Sequence, residues 1–323
     1  HFHKQRQMAT QKFSVVFQDE RPVAQTDVVL LAGVLSSVVY AADPIQELLS
    51  SQNQPYANGV TEAVVSEKDL CSQKFMLART SDTLYVSFMG TNSLEDCVDD
   101  ATATGTLFGK GLCHKGFEKR AVQIPLEQFT CELQERPNQK LVFCGHSLGG
   151  AVAQLVTVRL LNSPGIHQYV DRIHCITFGA PFFADEKNME WIIENRWTKC
   201  FLTIVNKADC IPFLLYLVDS WSSLKLSGTT KERAAHINEL LKLLDSKIRN
   251  SVLALPYKLA SELVPAYLKA NIPQYTPIGN YCFIETSGVV TSMDTMFISL
   301  KLKKSFQQLL DSEGAAPNPR VVL

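Results

Sequence analysis

The sequence predicts an α/β protein, with a mostly parallel central sheet flanked by helices. Two observations carry this. Through residues 75–205, β-type runs alternate with helical patterns, which implies βαβ units. Within that alternation, residues 139–163 (QKLVFCGHSLGGAVAQLVTVRLLNS) set a short apolar strand, a glycine-flanked turn and an Ala/Leu/Val-rich helix in direct succession.

The elements follow in order. Residues 1–25 form a poorly specified leader, and 26–323 read as a single domain. Asp27–Ala42 (DVVLLAGVLSSVVYAA) reads as a buried helix ended by Asp43-Pro44, with a short second helix over Ile45–Leu49. Phe75–Thr80 and Thr83–Gly90 are β-type runs joined by Ser81-Asp82, a hairpin signal. Gly116–Arg136 reads as one long amphipathic helix kinked at Pro125. Strand Leu141–Cys144 and helix Ala151–Leu161 come next, and Asn162-Ser163-Pro164-Gly165 stops that helix. Ile173–Phe178 and Phe201–Val205 are strands with a helix around Lys187–Asn195 between them. Residues 219–272 read as a helical insertion, with Ile237, Leu240, Leu241, Leu244 and Ile248 at helical spacing and breaks at Pro256 and Pro265. Tyr281–Thr286 is the last strand.

Composition excludes several classes. The chain has 323 residues, 46% of them hydrophobic, and a formal charge of −1 with Lys and Arg scattered, so it carries no nucleic-acid footprint. No run of 18 uncharged apolar residues is present, so no transmembrane span is expected. No signal peptide is visible in HFHKQRQMATQKF. Nine cysteines without tight paired spacing read as buried free thiols in a reducing cytosol, not as disulfides or a zinc site. A cytoplasmic protein is the expectation.

The chemistry centres on Gly145-His146-Ser147-Leu148-Gly149. A strand–turn–helix around G-x-S-x-G exposes the serine on a sharp turn and aims the helix N-terminus at it, where a developing oxyanion is stabilised. A serine hydroxyl also needs a base and a group orienting that base. Asp209, just past the β run Phe201–Val205, stands where the orienting acid should be; a surface aspartate in a turn is the plain alternative.

Five blocks in order resemble the class 3 (fungal-type) lipases: Phe88–Ser93 (FMGTNS), Cys113–Phe117 (CHKGF), Gly145–Gly150 (GHSLGG), Thr177–Pro181 (TFGAP) and Val205–Pro212. Thr276–Phe283 is similar to that family's following strand. The resemblance implies an α/β-hydrolase fold and hydrolysis of carboxylic esters of lipids, of acylglycerol or phospholipid type, through an acyl-enzyme without metal or organic cofactor. It assigns Ser147 as nucleophile, Asp209 as orienting acid, and the backbone N–H groups of Thr91 and Leu148 as oxyanion hole. It places a lid over Asn92 to about Lys110, with Leu94, Val98, Leu107 and Phe108 as an apolar underside and Asp96, Asp99 and Asp100 as an acidic outer face. The partner it implies is a lipid or small ester substrate, with transient contact to a lipid surface. Met89 stands where the family has an arginine, and Phe182-Phe183 where it has a basic residue and a glycine; both mark a divergent member.

The family's base follows the strand that Tyr281–Thr286 resembles, yet no histidine occurs after His236. His114, His146 and His174 stand at other positions and read as structural or packed residues. Three explanations stay open. The base lies beyond Leu323 in a longer chain, favoured by the start at His1 and the apolar ending Val321-Val322-Leu323. The chain is a catalytically inactive lipase-like binding or scaffolding module. Or His236, which shares a helix face with Leu240 and Leu244, acts from the insertion.

Overall fold

The computed structural model describes residues 26–51, 59–66, 73–90, 105–206, 275–284 and 290–294. Thr91, Asp209, His236, the leader, the insertion 219–272 and most of the expected lid (92–104) lie outside the described residues.

Apolar helix α1 (Thr26–Val38) is followed by α2 (Pro44–Ser51), and the chain then enters the antiparallel strands β1 (Glu62–Val65), β2 (Phe75–Arg79) and β3 (Thr83–Phe88). A small hairpin, β4 (Gly105–Phe108) and β5 (Gly111–His114), precedes α3 (Lys115–Ala121) and α4 (Glu127–Glu135). Next come β6 (Lys140–His146), α5 (Leu148–Leu161), β7 (Ile173–Phe178), β8 (Ala184–Asp185), α6 (Glu186–Glu194), β9 (Phe201–Asn206), β10 (Tyr275–Thr276), β11 (Asn280–Ile284) and β12 (Val290–Asp294).

The main sheet has eight strands in the order β1-β2-β3-β6-β7-β9-β11-β12. Its five central strands, β3, β6, β7, β9 and β11, run parallel, and both edges are antiparallel. This is the α/β-hydrolase arrangement: parallel strands covered on both faces, with crossover helices between them. Alternation along β6 divides the core. Leu141 and Phe143 join the cluster beneath α5, while Val142 and Cys144 join the cluster beneath α1. Every residue of α5 except Arg159 is buried, which explains its all-round apolar composition. Arg159 itself donates to the Ala121 carbonyl at the end of α3.

The long helix expected over Gly116–Arg136 is two helices. Residues 122–126 interrupt it, because Pro125 has no N–H for the ladder and disfavours helix in the residue before it. Thr276–Phe283, read as one strand, is likewise divided between two sheets: β10 pairs with β8, whereas β11 pairs with β9 and β12.

The second sheet, in the order β10-β8-β5-β4, was invisible in the sequence because its strands span two to four residues. A polar hinge holds it to α6. Asp185 caps α6 by accepting from the Asn188 N–H at 3.1 Å, and its other oxygen accepts from the Leu112 N–H at 2.9 Å. Fully buried Asn188 accepts from the Lys110 N–H at 3.1 Å and donates to the Leu112 carbonyl at 3.1 Å. Within this hairpin Phe108 packs against the core, but Leu107 is 85% exposed, so it does not form the apolar underside expected of it.

Candidate functional site

The elbow at Ser147 sits at the carboxyl edge of the parallel strands, where such sheets place their working groups. Ser147 has φ 54° and ψ −127°. The only other described non-glycine residue with positive φ is Arg196, just past the end of α6, where left-handed residues are ordinary. Ser147 has no such reason. Holding it there costs about 1–3 kcal/mol, which the surroundings must supply.

They do so through backbone contacts. The Ser147 N–H donates to the Phe178 carbonyl at 2.9 Å, and the Ser147 carbonyl accepts from Gly150 at 2.9 Å and Ala151 at 3.3 Å. The turn is also closed sterically. A Cβ on Gly145 would lie 2.5 Å from the Gly149 carbonyl group, and one on Gly149 would lie 2.2 Å from the Phe88 oxygen. The motif glycines are therefore required by direct backbone-to-backbone approach between β3, β6 and α5. Ser147 remains half-buried and His146 is exposed. Leu148 and Gly149 open α5, and the first N–H groups of a helix have no intrahelical acceptor, so they face the region where negative charge beside Ser147 would develop.

Strand order aligns the residues at this edge of the sheet. His146, Phe178, Ile204 and Cys282 form one row across β6, β7, β9 and β11. Two strand spacings separate β6 from β9, roughly 10 Å. β9 runs on past that row to Asn206, on the same edge of the sheet as Ser147. Buried Gln154 of α5 ties the two strands beneath: its Nε2 donates to Thr203 Oγ1 at 3.0 Å and Thr177 Oγ1 at 3.4 Å, and the two hydroxyls lie 3.0 Å apart. This network fixes α5 against β7 and β9. It was not legible in the sequence, where Gln154 is one polar residue in an apolar helix.

The described histidines lie elsewhere. His174 is the second residue of β7, level with Val142, so about five residues of β6, or roughly 16 Å, separate its row from Ser147. Its Nδ1 is buried without a hydrogen-bond partner, and burial, with Lys140 adding to it, pushes its pKa down to about 4. His167 precedes β7, on the opposite edge of the sheet from Ser147. His114 is buried and stacks on Phe117 with ring centroids 4.0 Å apart. His146 borders a groove of about 510 Å³ on the α1 face, lined also by Gly33, Ser36, Ser37, Tyr40 and Phe178. Beyond β11, residues 285–289 (Glu-Thr-Ser-Gly-Val) lead into antiparallel β12 without a histidine. Among the described residues no group of three His, Cys, Asp or Glu is placed to hold a metal ion.

Parts of this chain are similar to known proteins. Residues 85–218 match the family model of the class 3 lipases. Over 91 residues, 27% of this chain and 14% of the relative, the sequence is 33% identical to Arabidopsis thaliana Protein EDS1. Over 81 residues, 25% of this chain and 15% of the relative, it is 31% identical to Arabidopsis thaliana Lipase-like PAD4. The matched stretches are thus small parts of both relatives. Lipase II from Rhizopus niveus aligns with 84% of this chain and 86% of its own at a TM-score of 0.49 and 16% identity. Residues 85–218, with the elbow at Ser147 near their middle, match the class 3 lipase family model and carry β6, β7 and β9, central strands of the main sheet.

Proposed function

We propose that the chain is the core of a serine hydrolase that cleaves carboxylic esters of lipids, with Ser147 as nucleophile. The observation that carries this is the Ser147 backbone at φ 54° in the turn between β6 and α5, a strained conformation at the carboxyl edge of the parallel strands. Ser147 Oγ adds to the ester carbonyl while a histidine takes its proton, and Asp209 orients that histidine. The tetrahedral oxyanion accepts N–H bonds from Leu148 and Thr91. Its collapse expels the alcohol, which receives the proton, and leaves an acyl-Ser147 that water hydrolyses by the same steps in reverse order. No helix among the described residues is long and apolar enough to cross a membrane. The six described cysteines are free, and burial pushes Cys144 and Cys200 up to about 12, which fits inert thiols in a reducing cytosol.

A second reading has its own support. Without its base a triad loses on the order of 10⁶ in kcat, and neither residues 285–289 nor the sequence after them contains a histidine. A lipase-like module that binds a lipid or protein partner without turnover fits that fact. A fluorophosphonate probe separates the two. Labelling of the folded protein that disappears in Ser147→Ala supports the hydrolase. Labelling that persists in the variant sinks Ser147 as nucleophile, and absence of labelling supports the binding module.

A further inference from the structure

We infer that the Tyr40 hydroxyl is a positioning group that locks the segment leading into Thr91 to the elbow. The inference rests on the reading of Ser147 as nucleophile and of Thr91 and Leu148 as oxyanion donors. Pairing between β3 and β6 ends at Phe88 and Gly145. One step further the two chains are joined by a side chain: the Gly90 N–H donates to Tyr40 Oη at 3.0 Å, and the Tyr40 O–H donates to the His146 carbonyl at 3.2 Å. A single hydroxyl from a residue 106 positions away thus takes the place of the next rung.

The steric fit is specific. A Cβ on Gly90 would lie 2.2 Å from Tyr40 Oη, 3.0 Å from the His146 oxygen and 3.2 Å from the Gly149 nitrogen, so the bridge exists only with glycine at 90. Tyr40 is itself held. Its N–H donates to the Ser37 carbonyl at 3.2 Å, and the next carbonyl, that of Ala41, accepts from Lys74 Nζ at 3.1 Å. The Tyr40 ring meets the His146 ring edge-on at 6.2 Å. From the opposite flank, Met89 donates to the Lys74 carbonyl at 3.0 Å and accepts from Gln73 Nε2 at 2.7 Å. The two bonds of Tyr40 therefore fall one residue before Thr91 and two residues before Leu148. It fixes the spacing between Gly90 and His146, the described residues that lead to the two proposed donors, without touching substrate.

Tyr40→Phe keeps the ring and removes both bonds. The rate of fluorophosphonate labelling at Ser147 and the hydrogen exchange of the Gly90 amide are measured in wild type and variant, with the urea midpoint confirming that both are folded. Expected is a fall of about tenfold in the maximal labelling rate with half-saturating probe concentration unchanged, the signature of misplaced donors, together with faster exchange at Gly90. Equal maximal labelling rates overturn the inference while leaving Ser147 as nucleophile. If wild type is not labelled, the hydrolase reading fails by itself, and Gly90 exchange decides: selective acceleration in Tyr40→Phe supports the bridge, and unchanged exchange overturns it.

Discussion

Gly149→Ala tests the close approach of β3 and α5 directly. The added methyl carbon would lie 2.2 Å from the Phe88 oxygen, 2.9 Å from the Gly90 nitrogen and 3.0 Å from the Met89 carbonyl carbon. All three are backbone atoms, and Phe88 is tied to β6 through its pairing with Gly145, so no rotamer change relieves the clash. The end of β3 must move by about 1 Å. Overpacking of this kind costs about 1–3 kcal/mol, and a rigid backbone wall puts the cost at the upper end. Against it stands the better helix propensity of alanine, about 1 kcal/mol. The net expectation is a loss of about 2 kcal/mol, read as a lower urea midpoint and a fall in Tm of roughly 4–8 °C. If Ser147 reacts as proposed, its labelling also slows by up to about 10²-fold, because a displacement of about 1 Å at the donors misaligns attack. Gly33→Ala is the internal control. Its methyl would meet only the Phe178 ring, at 3.3 Å, which can give way, so stability stays equal to or above wild type. A Gly149→Ala protein within about 0.5 kcal/mol of wild type would refute the close approach and the role of the motif glycine derived from it.

Three further outcomes are expected. Ser147→Gly releases about 1–3 kcal/mol of strain and costs about 0.5–1 kcal/mol in backbone entropy, so it gains about 1 kcal/mol in urea unfolding while losing all labelling; a lower midpoint contradicts the strain. Gln154→Ala removes the link between α5 and the Thr177 and Thr203 hydroxyls and leaves a buried void, a loss of about 2–3 kcal/mol that is non-additive with Thr203→Val in a double-mutant cycle. His174, held neutral by burial down to about pH 4, binds its proton in the unfolded chain near pH 6.5. Its stabilising contribution is full above about pH 6.5 and falls as pH drops toward 4, by roughly 2–3 kcal/mol in all, because only the unfolded state gains the proton over that range. His174→Phe flattens this slope in urea midpoints measured from pH 7 to pH 4.

The core strands and the elbow were readable because their signals are local. Leu141–Cys144 against Lys140–His146, and Ala151–Leu161 against Leu148–Leu161, differ only at the ends, since apolar runs and turn glycines fix type better than boundary. The Pro125 break was read as a kink because sequence shows the missing donor and not whether packing holds the two segments in line. β4, β5, β8 and β10 escaped because two to four residues carry no period. Tyr40 and Gln154 escaped for a different reason. Each reads as a polar group within a mostly apolar helical segment, and its partner is chosen by strands far along the chain.

By itself, then, the sequence determined that a serine sits on a glycine-bounded strand–turn–helix in a chain of alternating strands and helices, because side-chain periodicity and turn chemistry act over a few residues. Only the tertiary structure decided the order β3-β6-β7-β9-β11, the row that aligns His146 with Phe178 and Ile204, the two unyielding contacts of Gly149 and Gly90, and the hydroxyl that joins Gly90 to His146. Those depend on which carbonyl meets which donor across tens of residues, and that pairing is set by sheet order and burial, not by any local pattern.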